Sequence, residues 1–190
     1  MDHFEYITMV VSFVTAFAVS QLLAGWARQW AVREVQRPYA LHIAASLLFL
    51  VTLVQSIWGS WAYRDVPWTF GTFLLYFAST LPLAGAASLI HPNAAAAETT
   101  DIRQHYFSNG RAAYFLIAIW IVMAGWLEWA LVDHLGEFSE SMGLLQLIRV
   151  VAAVVLATQS MSRNPKIHWA GLGLLAAMLV VSILRFGQFQ

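Results

Sequence analysis

Six apolar runs, each close to 20 residues long, constrain this chain more than any other feature: roughly 4–27, 40–63, 67–91, 112–133, 142–161 and 166–187. About 20 consecutive apolar residues is the length a helix needs to cross the hydrocarbon core of a bilayer. Only helices and closed barrels satisfy their backbone polar groups there. The runs predict an all-α integral membrane protein, a single polytopic domain built as a bundle of six transmembrane helices. The composition agrees: the 190 residues are 60% hydrophobic and 11% charged, against about 25% charged in soluble domains.

The second and third runs are separated only by "RDV" and form a tight hairpin. Pro67 opens the third run, and "RNPK" opens the sixth. The segment 92–111 is the longest connection. It starts with Pro-Asn and ends with Ser-Asn-Gly, both loop or cap signals, and its centre suits a short interfacial helix. The N-terminus carries two acids and no Lys or Arg ahead of the apolar run. A secretory signal needs a positive leading region, so the first run is expected to be a retained span.

Orientation follows from the bias of Lys and Arg towards cytoplasmic loops. Connections one, three and five hold Arg28, Arg33, Arg37, Arg103, Arg111, Arg163 and Lys166, whereas the other side holds Arg64 and Arg185. The acids Asp2, Glu5, Asp65, Asp133, Glu137 and Glu140 lie on that other side. The expectation is a multi-pass protein of the inner (plasma) membrane with both termini non-cytoplasmic.

Within this frame "GWLEWALVDH" (125–134) is anomalous, because Glu128 lies inside an apolar run, between Trp126 and Trp129. A charge inside a span costs about 2.5–3.5 kcal/mol on insertion scales and generally has a partner. Runs four and five form an antiparallel hairpin, and positions 128 and 149 are equidistant from its turn. Arg149 is thus level with Glu128 to within about one helical turn, roughly 5 Å. Ala124 and Gly125 beside Glu128 permit close approach, and Gln146 shares the face of Arg149. An Arg–carboxylate fork is the expected contact, serving helix register or else a gate or solute site, and the remaining alternative is an Arg149 that snorkels unpaired to the outer interface.

Polar side chains recur at helical spacing on three further spans: Glu5, Thr8, Ser12 and Thr15; Ser46, Ser56, Ser60 and Tyr63, with Gln55 nearby; and Thr72, Tyr76, Ser79 and Thr80. Such stripes serve as helix-packing surfaces or as cavity walls. Their convergence with Glu128, Arg149 and Gln146 predicts an outer-facing polar cavity. Among the nine tryptophans, Trp58 and Trp129 are the candidates for an aromatic rim, although interfacial belts account for most of the set. Pro82, mid-run in "STLPLAGA", removes one backbone hydrogen bond and is a hinge candidate.

Other chemistry finds little support. There is no cysteine, which excludes disulfides and thiolate metal sites. Net charge is zero, which offers nucleic acid no basic surface. No HExxH, phosphate loop or nucleophile elbow occurs, so no enzyme is expected. Of the six histidines, only His42 and His168, each placed just after a proline at the start of a run, form a conceivable haem or metal couple; no cofactor is expected. The leading reading is a transporter- or channel-like protein that takes a small polar solute, in contact with the bilayer and forming homo-oligomers or joining a membrane partner. The rivals are a structural or assembly subunit that docks through the small-residue face "AGLGLLAA" (170–177) and a haem or quinone carrier.

Overall fold

The computed structural model describes residues 3–93, 101–131 and 142–186, and every regular element among them is helical. In chain order these are α1 (His3–Ala31), α2 (Ala40–Gly59) with a 3-10 turn Ser60–Tyr63, α3 (Phe70–Ile90), α4 (Ile102–Ser108), α5 (Gly110–Ala130), α6 (Met142–Met161) and α7 (Pro165–Phe186). All but α4 are long and apolar enough to cross a membrane, which makes six spans. Asp2, Asp133, His134, Glu137, Glu140 and the side chain of Arg185 lie outside the described residues.

Local chemistry fixes the boundaries. α3 begins at Phe70 rather than Pro67, because Thr69 and Thr72 form a reciprocal capping box that ties off the first turn. Asp101 accepts from the Arg103 amide at the start of α4. Asn164 accepts from the Lys166 amide at the start of α7, and Pro165 takes the first helical position, where its missing N–H is not needed. α1 runs to Ala31, past the expected end near 27, since nothing before Pro38 breaks it.

Contacts across the bundle define two faces. The start of α1 meets the end of α2 through Phe4 and Trp61, with ring centroids 6.1 Å apart. Trp68, just before α3, donates to the Tyr63 carbonyl at 3.2 Å. These ends, with the end of α5 and the start of α6, make the N-terminal face. On the opposite face, His42 at the start of α2 meets the end of α3, Tyr106 of α4 meets Tyr114 and His168, and Arg111 reaches the Ser160 carbonyl at 2.5 Å.

The spans form a ring in the order α1, α3, α5, α6, α7, α2, closing back on α1. The arc α1–α3–α5–α6 is packed closely, and the joints made by α7 and α2 are sparser. Buried Ala86, Ala87, Ala113 and Ala118 bring α3 and α5 together. At the crossing of α1 and α3, the missing side chain of Gly25 leaves the space filled by the His91 ring. Large apolar side chains such as Phe13, Val54, Phe115, Val154 and Leu184 point outward, as a lipid solvent requires.

Candidate functional site

Glu128 is held by three donors. Both terminal nitrogens of the Arg149 guanidinium donate, one to each carboxylate oxygen, and the Tyr63 hydroxyl donates to Oε1 at 3.0 Å. The planar guanidinium fits a carboxylate as a fork, which fixes the orientation of both side chains. The pair is largely withdrawn from solvent, with side-chain exposures of 19% for Arg149 and 12% for Glu128. α5 and α6 come together here because Gly125 has no side chain. A Cβ at that position would sit 2.8 Å from Gln146 Oε1, and Gln146 donates to the Gly125 carbonyl at 3.1 Å.

The pair borders a central cavity of about 250 Å³ to which all six spans contribute. The polar stripes turn towards it: Thr8, Ser12 and Thr15 from α1, Ser56, Ser60 and Tyr63 from α2 and its 3-10 turn, and Tyr76, Ser79 and Thr80 from α3. Gln55 and Ser182 meet at 2.9 Å and link α2 to α7 across the sparser side of the ring. Leu48, Phe49, Leu83, Ile117 and Leu172 supply apolar wall. Gly59 borders the cavity, and a Cβ there would meet nothing within 4 Å.

Several expected site residues sit elsewhere. Glu5, Trp58 and Trp129 lie on exposed helix faces and do not line the cavity. Each is rotated away from the ring axis, and the two tryptophans take the outward belt position open to large amphipathic rings. Gln146 ties α6 to α5 through the Gly125 carbonyl instead of lining the cavity. Thr72 is engaged in the α3 cap, and Ser46 accepts from Trp26 Nε1 at 2.9 Å, tying α1 to α2. Pro82 lies within an unbroken α3, one turn from Ser79 and Thr80, whose hydroxyls bond the Tyr76 and Phe77 carbonyls.

The structure does not support the His42–His168 couple. Both nitrogens of each ring are already engaged: His42 with Gln29 at 3.3 Å and the Ile90 carbonyl at 2.9 Å, His168 with Tyr106 at 2.9 Å and the Ser162 carbonyl at 3.1 Å. Neither ring has a lone pair free for a metal. Among the described residues, no group of three or more His, Asp or Glu side chains has metal-binding geometry.

The rings instead belong to a polar layer at the opposite face, joined to the cavity through Tyr114, and sequence reading missed it. The Tyr106 hydroxyl lies 2.5 Å from that of Tyr114 and 2.9 Å from His168 Nδ1. Buried Gln159 donates to the His168 carbonyl at 3.1 Å. Tyr114 lines both the central cavity and a second void of about 20 Å³ beside His42 and Tyr106, roughly the space one water needs. The missed residue is Tyr106, which comes from α4, an element with no apolar period to reveal which way it faces. His91 stands against His42 with ring centroids 4.7 Å apart, and neither of its buried nitrogens has a partner among the described residues. Burial, aided by His42 and Arg28, lowers the His91 pKa to about 3, and burial also lowers that of His105. Burial raises that of Tyr106.

Fold and site together define an all-α polytopic membrane protein whose six helices surround a central cavity bordered by an ion pair. Comparison with protein families, with curated proteins and with solved structures finds no match to this chain.

Proposed function

We propose that this chain is a transporter- or channel-like protein of the inner membrane that takes a small solute into its central cavity from the N-terminal, non-cytoplasmic face. The observation that carries this reading is the cavity itself, about 250 Å³ and walled by all six spans. A bundle built only for scaffolding gains from filling such a void, because packing at organic-crystal density is the stable default. An apolar cavity of 150 Å³ holds benzene, so 250 Å³ suits about ten heavy atoms. The hydroxyls, Gln55 and the Glu128–Arg149 pair are the few convergent polar groups typical of a ligand site. The hydrogen-bonded Tyr106–Tyr114–His168 layer lies at the far end beyond the cavity-lining Tyr114, and on this reading passage goes with its rearrangement, as in a carrier.

The test is solute entry into liposomes containing the purified protein, read by stopped-flow light scattering with acetamide and butyramide. Entry faster than in protein-free liposomes, and lost when Gly59→Trp adds bulk at the cavity's edge, is expected. Equal rates for protein-free, wild-type and variant liposomes would remove the reading. A second reading, association with another membrane protein, is favoured by one observation: Ala170, Gly173 and Ala177 lie exposed along α7, although Gly171 is packed against Gln159.

A further inference from the structure

The cavity's hydroxyls are not interchangeable donors and acceptors. Thr15 bonds the Val11 carbonyl at 3.2 Å, Thr52 that of Leu48 at 2.9 Å and Ser56 that of Leu53 at 2.7 Å. Ser60 bonds the Ile57 carbonyl at 2.6 Å, Ser79 that of Tyr76 at 2.6 Å and Thr80 that of Phe77 at 2.7 Å. A backbone carbonyl has no proton, so in each bond the hydroxyl must donate. A hydroxyl has one proton, and each of these six is committed to its own helix. What they retain is lone pairs. Tyr63 is in the same position, with its proton on Glu128. Donor capacity remains on Thr8, Ser12, Ser182, the Gln55 amide, the Trp120 indole and the N–H groups of Arg149 not spent on Glu128, so the wall that can only accept is the one made by these six hydroxyls and Tyr63.

Charge narrows the occupant further. Glu128 and Arg149 are the charged side chains lining the cavity, and they neutralise one another. An ionic solute would bring a charge with no counter-ion into a poorly solvated space, which is costly.

Building on the proposed function, we infer that the cavity selects a small uncharged solute that donates hydrogen bonds from one end and is apolar at the other. The donor end meets the hydroxyl oxygens of α1, α2 and α3, and the apolar end meets leucines such as Leu83, Leu156 and Leu172. A site whose buried polar groups are left unpaired by the wrong analogue discriminates strongly.

The experiment measures thermal stabilisation of the purified full-length protein in detergent by four compounds of matched size. Butyramide carries two N–H donors, 2-pentanone replaces its NH2 with CH3, and butyrate and butylammonium add a charge of either sign. Butyramide is expected to raise Tm saturably, 2-pentanone to need at least tenfold higher concentration, and the ions to have no effect beyond that of sodium chloride. The Ser79→Ala/Thr80→Val variant should weaken butyramide several-fold, and Gly59→Trp should abolish its effect. If 2-pentanone or an ion stabilises as well as butyramide and Gly59→Trp abolishes it, donor selection is overturned while a solute cavity stands. If no compound stabilises, or all effects survive Gly59→Trp, both ideas fail.

Discussion

Arg149 of α6 holds Glu128 of α5 through both carboxylate oxygens, and Tyr63 from a third helix completes the carboxylate's coordination. Breaking a buried pair by removing one partner typically costs about 3–5 kcal/mol, whereas replacing both with apolar groups is far milder. The partial exposure of both side chains moves this pair towards the lower end. Glu128→Leu and Arg149→Leu should each lower Tm in detergent, and the double variant should recover part of the loss. Strictly additive losses in the double-mutant cycle would show that the two are uncoupled. The cycle also separates roles: a register-fixing pair gives a double variant that still takes up solute, and a solute-binding pair gives one that is stable but inactive.

Tyr106 joins Tyr114 to His168 through a single oxygen. Tyr106→Phe keeps the ring packing and deprives both neighbours of a partner. The expected loss is about 1–3 kcal/mol, the usual cost of orphaned buried polar groups. Denaturant titration should show it, and a variant as stable as wild type would mean that water replaces the hydroxyl without loss.

Glycines in this bundle separate by what a methyl group would meet. At Gly171 a Cβ would lie 2.6 Å from Gln159 Nε2, and at Gly25 it would run into the His91 ring. At Gly173 nothing lies within 4 Å. Gly25→Ala and Gly171→Ala should therefore lower Tm, and Gly173→Ala should leave it unchanged or raise it slightly, since alanine is the better helix former by about 1 kcal/mol. The reverse ranking would contradict the packing of α1 on α3 and of α7 on α6.

Acid should destabilise the protein in a defined window. The folded-state pKa of His91 is about 3 against 6.5 unfolded. Between those values the unfolded chain binds a proton that the folded chain refuses, so stability falls as pH drops through that range. From pH 7 to 5 the single-site effect is about 2 kcal/mol, and His105 shifts in the same direction. His91→Gln should lose less stability over this interval than wild type. Parallel curves for the two proteins would assign the acid response elsewhere.

Topology is open to a direct check. Reporter fusions after residue 190 and within 92–111 should give opposite readouts, with the former non-cytoplasmic, because the basic residues gather on the connections of the opposite face. Equal readouts would contradict six spans.

Hydropathy alone determined the number of spans and their approximate limits, because the apolar length needed to cross a bilayer is set by the solvent and not by the neighbours. The hairpin register of α5 and α6 also made the Glu128–Arg149 contact legible, since residues equidistant from a turn share a depth. The facing of Thr15, Ser56 and Ser79 followed from period 3.6. Tertiary structure decided the rest. Ring order places α1 against α3 and α2 against α7, pairings that chain order does not imply. The rotation of each helix about its own axis sent Glu5, Trp58 and Trp129 outward and brought Tyr63 to Glu128. Ring nitrogens of His42 and His168 that looked free in the sequence were engaged by carbonyls and side chains from other elements. Helix order and rotation arise from close packing and hydrogen bonding between helices in lipid, where the hydrophobic effect no longer favours one apolar face over another.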